Sequence, residues 1–228
     1  MIYTYLFTFI LSLAALHGNQ DGHLLSLLDK SNNTYLFRGK LAHRNSEFQY
    51  ESLRDNFQKS LSDLGEILPK DFGLLCISFL NSTEWKKCNV EAAWFRVNSC
   101  KGYLWRYPLF GSFIDPRYLP EKIRIAIIHS DPDGLQFFMN QLNCLLKEET
   151  YKERLLIIYM HCNAGKDRTG EAAACYLMQF RGVSYRNAVN ESREIANREL
   201  KMMSLNAIRW YAFYLRDVKG VLTVGRID

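Results

Sequence analysis

Leu155-Leu156-Ile157-Ile158-Tyr159-Met160-His161-Cys162-Asn163-Ala164-Gly165-Lys166-Asp167-Arg168-Thr169-Gly170-Glu171-Ala172-Ala173-Ala174-Cys175-Tyr176-Leu177-Met178 carries the decisive pattern of this chain. Its first six residues form an unbroken apolar run, which predicts a buried strand. The alanine-, leucine- and methionine-rich residues after Gly170 predict a helix. Between them, His161 to Gly170 must turn tightly. A strand, loop and helix in that order aim backbone N–H groups and the positive helix end at an anion. Loops of this kind favour the nucleophilic thiolate form of a cysteine at their mouth. An arginine six positions later offers a two-pronged donor matched to phosphate oxygens.

Outward from that stretch, the apolar pattern switches repeatedly between strand and helix. Thr34-Tyr35-Leu36-Phe37-Arg38-Gly39-Lys40 reads as a strand that turns at Gly39. Phe48, Leu53, Phe57, Leu61, Leu64 and Ile67 fall at helical spacing over 47–67, and Pro69 ends that helix. Residues 72–80 read as a buried strand, 90–99 as a helix, and Tyr103 to Tyr107 as a strand closed by Pro108. Pro116, Pro120, Pro132 and Gly134 mark 110–134 as loop, with Ile123 to Ile128 either a short strand or one helical turn. A helix over 135–147, a strand over 154–160 and helices over 169–180, 184–196 and 203–217 follow. This order predicts an α/β fold: a mostly parallel central sheet flanked by helices, with a helical C-terminal portion. The loop leaves the carboxyl end of a strand, where such sheets bind ligands.

The 228 residues suit one domain, assigned to 22–228. A content of 48% hydrophobic and 23% charged residues excludes a disordered chain. The net charge of +5 favours an anionic substrate but is too small for a nucleic-acid binder. Ile2 to Leu16 is almost wholly apolar, and the first Asp, Glu, Lys or Arg is Asp21. That run is short for a bilayer span and right for a secretory signal, so 1–18 is read as a signal peptide. A secreted or extracellular chain follows, with an uncleaved membrane anchor as the alternative. The mature chain is expected to be a monomer with no stable membrane insertion. Sequons at Asn32, Asn81 and Asn190 decide nothing, because such triplets are common by chance. Among the six cysteines, Cys88 and Cys100 are the expected disulfide pair, while Cys144 and Cys175 lie on apolar helical patterns as buried thiols. No His/Cys cluster has metal-ligand spacing, so neither a metal nor another cofactor is expected.

His161-Cys162, five residues, then Arg168-Thr169-Gly170 resembles the signature of the cysteine-dependent protein tyrosine phosphatase superfamily. Gly165-Lys166-Asp167-Arg168-Thr169-Gly170 is similar to its dual-specificity and bacterial or lipid-phosphatase branches. A looser resemblance runs through Leu36-Phe37-Arg38-Gly39 and Gly102-Tyr103-Leu104-Trp105-Arg106-Tyr107-Pro108. The resemblance implies a tyrosine-phosphatase-like fold in which Cys162 attacks phosphorus and forms a phosphocysteine that water hydrolyses. The N–H groups of Asn163, Ala164, Gly165, Lys166, Asp167 and Arg168, with the Arg168 guanidinium, would hold the equatorial oxygens. Gly165 would let the backbone turn inward. Thr169 would donate to the Cys162 sulfur, His161 would orient the loop from behind, and Lys166 would add a cation at the rim.

Protonating the leaving oxygen calls for a carboxylic acid on a separate loop. Asp115, in Phe113-Ile114-Asp115-Pro116, is taken first for its place after a strand. Asp131 and Asp133, thirty-one and twenty-nine residues before Cys162, and Asp167 inside the loop stay open as alternatives. The expected substrate is a phosphotyrosine protein, with dual specificity included. Removal of phosphate from a phosphoinositide or inositol phosphate is the alternative, favoured by Lys166 and opposed by Asn163, where many lipid phosphatases carry lysine. A non-catalytic phosphate-binding module is a lesser alternative. Trp210, Tyr211, Phe213 and Tyr214 read as core, and Arg193 to Glu199 as a solvated helix end, with Arg198 reaching a second phosphate as the alternative.

Overall fold

The computed structural model describes residues 25–131, 134–147 and 154–228. The expected signal segment 1–18 and Asp133 lie outside the described residues. The apolar run becomes strand β7 (Leu156–Cys162), all seven residues of which are buried. Two parallel neighbours enclose it, β2 (Thr34–Lys40) and β5 (Gly73–Ser78). Parallel β6 (Tyr103–Arg106) and antiparallel β1 (Leu25–Ser31) form the edges, in the order β1-β2-β7-β5-β6. A small hairpin, β3 (His43–Arg44) with β4 (Glu47–Phe48), stands apart. The sheet is therefore mostly parallel, as expected, with one antiparallel edge.

A strand buried on both faces feeds two cores alternately. Ile157 and Tyr159 enter one with Phe37, Phe57, Phe72 and Leu74. Helices α1 (Tyr50–Ser62) and α2 (Trp85–Val97) cover it, and Phe57 meets Phe37 at 5.1 Å and Tyr159 at 5.5 Å between ring centroids. Ile158 and Met160 enter the other core with Leu36 and Ile77. That side is covered by α3 (Glu121–His129), α4 (Leu135–Lys147), α5 (Asp167–Phe180), α6 (Tyr185–Ala196) and α7 (Met202–Phe213). Helix α5 is buried from Thr169 to Met178. Ala172, Ala173 and Ala174 keep it slim enough for α6 and α7 to close over it. Trp210, Tyr211, Phe213 and Tyr214 are core residues, as read.

Several expectations need correction. Ile123 to Ile128 is part of α3, because nine residues free of Gly and Pro follow Pro120. Helix α2 starts at Trp85, ahead of the expected 90, because Asn81 and Glu84 form a reciprocal capping box just before it. The sequence pattern offered no signal for β1, an edge strand buried only at Leu28. Cys88 and Cys100 are free. About 14 Å of α2 separates Cys88 from the helix end at Val97, well beyond disulfide reach. Cys144 is exposed and Cys175 is buried, and neither is in a disulfide. No helix among the described residues is long and apolar enough to cross a membrane.

Candidate active site

Strand register sets the loop's entry. Lys40 of β2 lies opposite Cys162, while Gly39 of β2 and Ser78 of β5 flank His161. Leu41 N–H donates to the carbonyls of Cys162 (2.9 Å) and Asn163 (3.3 Å), which fixes the first turn. Gly165 has φ +68°, and a Cβ there would stand 2.4 Å from the Gly39 oxygen and 2.7 Å from the Lys40 nitrogen. The buried Arg38 donates to the Gly165 carbonyl at 3.2 Å from below. With those carbonyls tied outward, no protein acceptor among the described residues takes the N–H groups of residues 163–168. They form a ring of free donors at the start of α5, beside a Cys162 that is 3% exposed. Gly165→Ala is expected to lower the melting temperature by about 4 °C or more, from about 1–2 kcal/mol of left-handed backbone cost plus the clash. Turnover falls with it; thermal denaturation and a phosphatase assay read both.

Behind the loop, His161 Nε2 lies 2.6 Å from Glu91 Oε1, both side chains being fully buried. Glu91 comes from α2, which packs on the core that holds Cys76 of β5 and Tyr159 of β7. The Cys76 thiol approaches the same Glu91 oxygen at 3.7 Å. Burial alone would raise the Glu91 pKa, but His161, with Ser78 and Cys76, holds it below the ordinary 4.5. Burial and Glu91 together push the Cys76 thiol well up. His161 is thus held behind the loop by a partner far away in sequence. Cys76, Glu91 and His161 offer ligand atoms within 4.8 Å of one another, yet these atoms already bond each other. Glu91→Leu is expected to destabilise by about 3–5 kcal/mol, because it strands a buried imidazole. The depressed carboxyl pKa sets the sign of the pH dependence. The contribution of Glu91 is full above about 4.5 and is lost as pH falls through its lower folded value. Denaturant titration from pH 7 to 3 checks this, since Glu91→Gln should flatten that part of the profile.

Arg168 is held in one plane by three contacts. It donates to Glu84 Oε2 (2.6 Å), Glu84 Oε1 (3.0 Å) and the Phe79 carbonyl (2.9 Å). Glu84 is kept ionised against its burial by that fork. Lys87 Nζ reaches Asn163 Oδ1 at 2.7 Å, so a cation touches the loop even though no lysine occupies position 163. Arg198 grips Asp167 with two hydrogen bonds of 3.0 and 2.7 Å, and Lys201 N–H adds a third at 2.9 Å. Arg38, Arg168 and Arg198 all interact electrostatically with Cys162. Burial lowers Arg38 to about 10, against Glu191 and Cys162, which act the other way. Lys166 is half-buried at the rim and Ala164 is exposed. The expected bond from Thr169 to the sulfur is not made: its Oγ1 is buried without a hydrogen-bond partner among the described residues. Ser192 of α6, which sequence reasoning missed, donates to the Gly170 carbonyl at 3.1 Å and ties α6 to the loop.

The candidate acids are placed apart. Asp115 caps the turn Pro116–Tyr118 and is bound by Arg117 at 2.7 Å and by Arg209 at 3.1 Å. Burial works against it, but Arg117 and Arg209 hold its pKa below the usual value. Arg209 stands eight residues along α7 from Lys201, the residue that touches Asp167, or about 12 Å of helix rise. Asp115 therefore ties the Pro116–Tyr118 turn to α7. Asp167 is likewise held low, against its burial, by Arg198 and Lys201. Asp131 accepts from Gln136 and Phe137 N–H groups at the start of α4. Its turn meets the carboxyl end of β6, where Tyr107 Oη donates to the Gly134 carbonyl at 2.6 Å.

A model of the family described as "PTP-SAK: Swiss Army Knife protein, DSP-PTPase phosphatase domain" matches residues 114–213, the segment that contains β7, the loop and α5. Over residues 114–213, less than half of its length, the chain is similar to that phosphatase family. The match leaves out Arg38 of β2, Glu84 of the turn before α2 and Glu91 of α2, which bind Gly165, Arg168 and His161. Solved structures resemble the chain loosely. Pseudomonas aeruginosa TpbA in complex with pTyr is 18% identical over 89% of this chain and 96% of its own, with a TM-score of 0.45. The PP-IP phosphatase SIW14 core of S. cerevisiae is 14% identical over 87% and 94%, with a TM-score of 0.44. PTPMT1 in complex with PI(5)P is 17% identical over 82% and 94%, with a TM-score of 0.41. No curated protein matched the chain.

Proposed function

We propose that this chain hydrolyses phosphate monoesters through a phosphocysteine on Cys162, with phosphotyrosine in proteins as its substrate and dual specificity included. The carrying observation is the ring of unaccepted N–H groups at 163–168 beside a buried cysteine and a plane-fixed Arg168. A phosphoryl group seated there offers three oxygens to those donors and its phosphorus to the sulfur. Aromatic substrate is supported by apolar side chains exposed on both sides of the loop: Trp85 next to Glu84, and Met202 next to Lys201. Asp131 is the proposed acid, because it lies at the sheet's carboxyl edge and no guanidinium pairs with it among the described residues. Across aryl phosphates of rising leaving-group pKa, Asp131→Asn should steepen the rate dependence, while Asp115→Asn should leave it unchanged. An unchanged slope for Asp131→Asn removes the assignment.

The second reading, a phosphoinositide or inositol phosphate substrate, is supported by Lys87, Lys166 and Arg198 around one loop. Phosphate release from a phosphopeptide and phosphoinositide panel, with Cys162→Ser as blank, separates the two. The proposal predicts the higher kcat/KM on phosphotyrosine peptides. Secretion, from the apolar run at 2–16, is also proposed, and N-terminal sequencing of the protein recovered from culture medium tests it.

A further inference from the structure

A second group of cations lies outside the catalytic loop, where the Pro116–Tyr118 turn, α6 and α7 meet Asp228. A cavity of about 440 Å³ is lined there by Arg117, Arg186, Arg193 and Arg209, with Tyr185 and Asp228. The cavity already holds a carboxylate. Asp228 Oδ2 is 2.8 Å from Arg186, and its Oδ1 is 3.0 Å from Arg226. Its main-chain oxygen accepts from Arg209 Nε at 3.0 Å and from the Tyr185 hydroxyl at 3.1 Å. The other carboxylates in contact with these arginines are Asp115, on Arg117 and Arg209, and Glu199, 2.8 Å from Arg193. Five guanidinium groups, Arg226 included, contact the side-chain carboxylates of Asp115, Glu199 and Asp228. The Glu199 side chain is 73% exposed, so its hold on Arg193 is weak.

We infer that this cavity is a second anion-binding site, for a compact phosphate-bearing anion, with the Asp228 carboxylate as its resident stand-in. Guanidinium forks converging from a turn and two helices match an anion that offers acceptors in several directions. A phosphate dianion does so better than a planar carboxylate. The site is independent of the phosphatase reading, since no group in it belongs to the loop.

Pyrophosphate titrated calorimetrically into the Cys162→Ser chain tests it, because that variant keeps both sets of donors while it cannot form a phosphocysteine. Two molecules should bind per chain. The Arg186→Gln/Arg193→Gln double variant, altered only at partly exposed side chains, should bind one. Asp228→Asn should tighten the second binding by about two- to fivefold, the range that exposed ion-pair energies give, and 0.5 M salt should weaken it. One molecule bound by all three proteins would overturn the inference. Because turnover is not measured, that outcome would leave the assignment of Cys162 standing; loss of turnover assigned to another residue would leave the cavity standing.

Discussion

Cys162→Ser is expected to lower turnover by about a million-fold, the scale seen when a covalent nucleophile is removed, while phosphate binding survives. The two effects separate because different atoms carry them. The sulfur forms the bond to phosphorus; the oxygens are held by N–H groups of the backbone from 163 to 168, which the substitution leaves in place. Cys162 is the last residue of a fully buried strand, and serine is smaller there by a fraction of an ångström, so the fold should be unaffected. Steady-state assay on an aryl phosphate and vanadate binding by calorimetry check the two halves. Turnover within tenfold of wild type would remove Cys162 from the mechanism.

Arg168→Lys is expected to cost about 10³–10⁵-fold in kcat/KM, the range measured for arginines that stabilise phosphoryl transfer. The guanidinium has two jobs that an ammonium cannot share. One edge is committed to both oxygens of Glu84 and to the Phe79 carbonyl, which holds the plane. The remaining donors are free for phosphate oxygens. A lysine has a point charge and no plane, so pairing with Glu84 would draw it away from the substrate. Glu84→Gln should produce a smaller loss in the same direction, because the fork keeps its partner but loses its charge. A lysine variant that retains most activity would mean that Arg168 does not hold the reacting phosphoryl group.

How much of this was legible follows from where the partners sit. The loop could be read because its strand, turn and helix are contiguous: the apolar run up to Met160, Gly165 at the inward turn, and the alanine run after Gly170. Glu91 could not be read. It lies in the middle of α2, and only the pairing of β5 with β7 brings that helix beneath His161. Glu84, Arg38 and Arg198 reach the loop from 84, 127 and 31 residues away along the chain, so no local pattern marks them. Glu84 carried a partial signal, since Asn81 three residues earlier makes it half of a capping box. Asp115 has the place after a strand that suits an acid loop, and its pairing with Arg117 and Arg209, both distant in pattern from that strand, had no local signal. The Cys88–Cys100 pairing failed for a similar reason, because spacing alone does not reveal the rigid helix in between.

A crystal grown with vanadate tests the central claim most directly. Density bonded to Sγ of Cys162, with its equatorial oxygens facing the N–H groups of 163–168 and the Arg168 guanidinium, is the predicted result. Vanadate bound elsewhere on the chain, with the Cys162 sulfur bare, would contradict it.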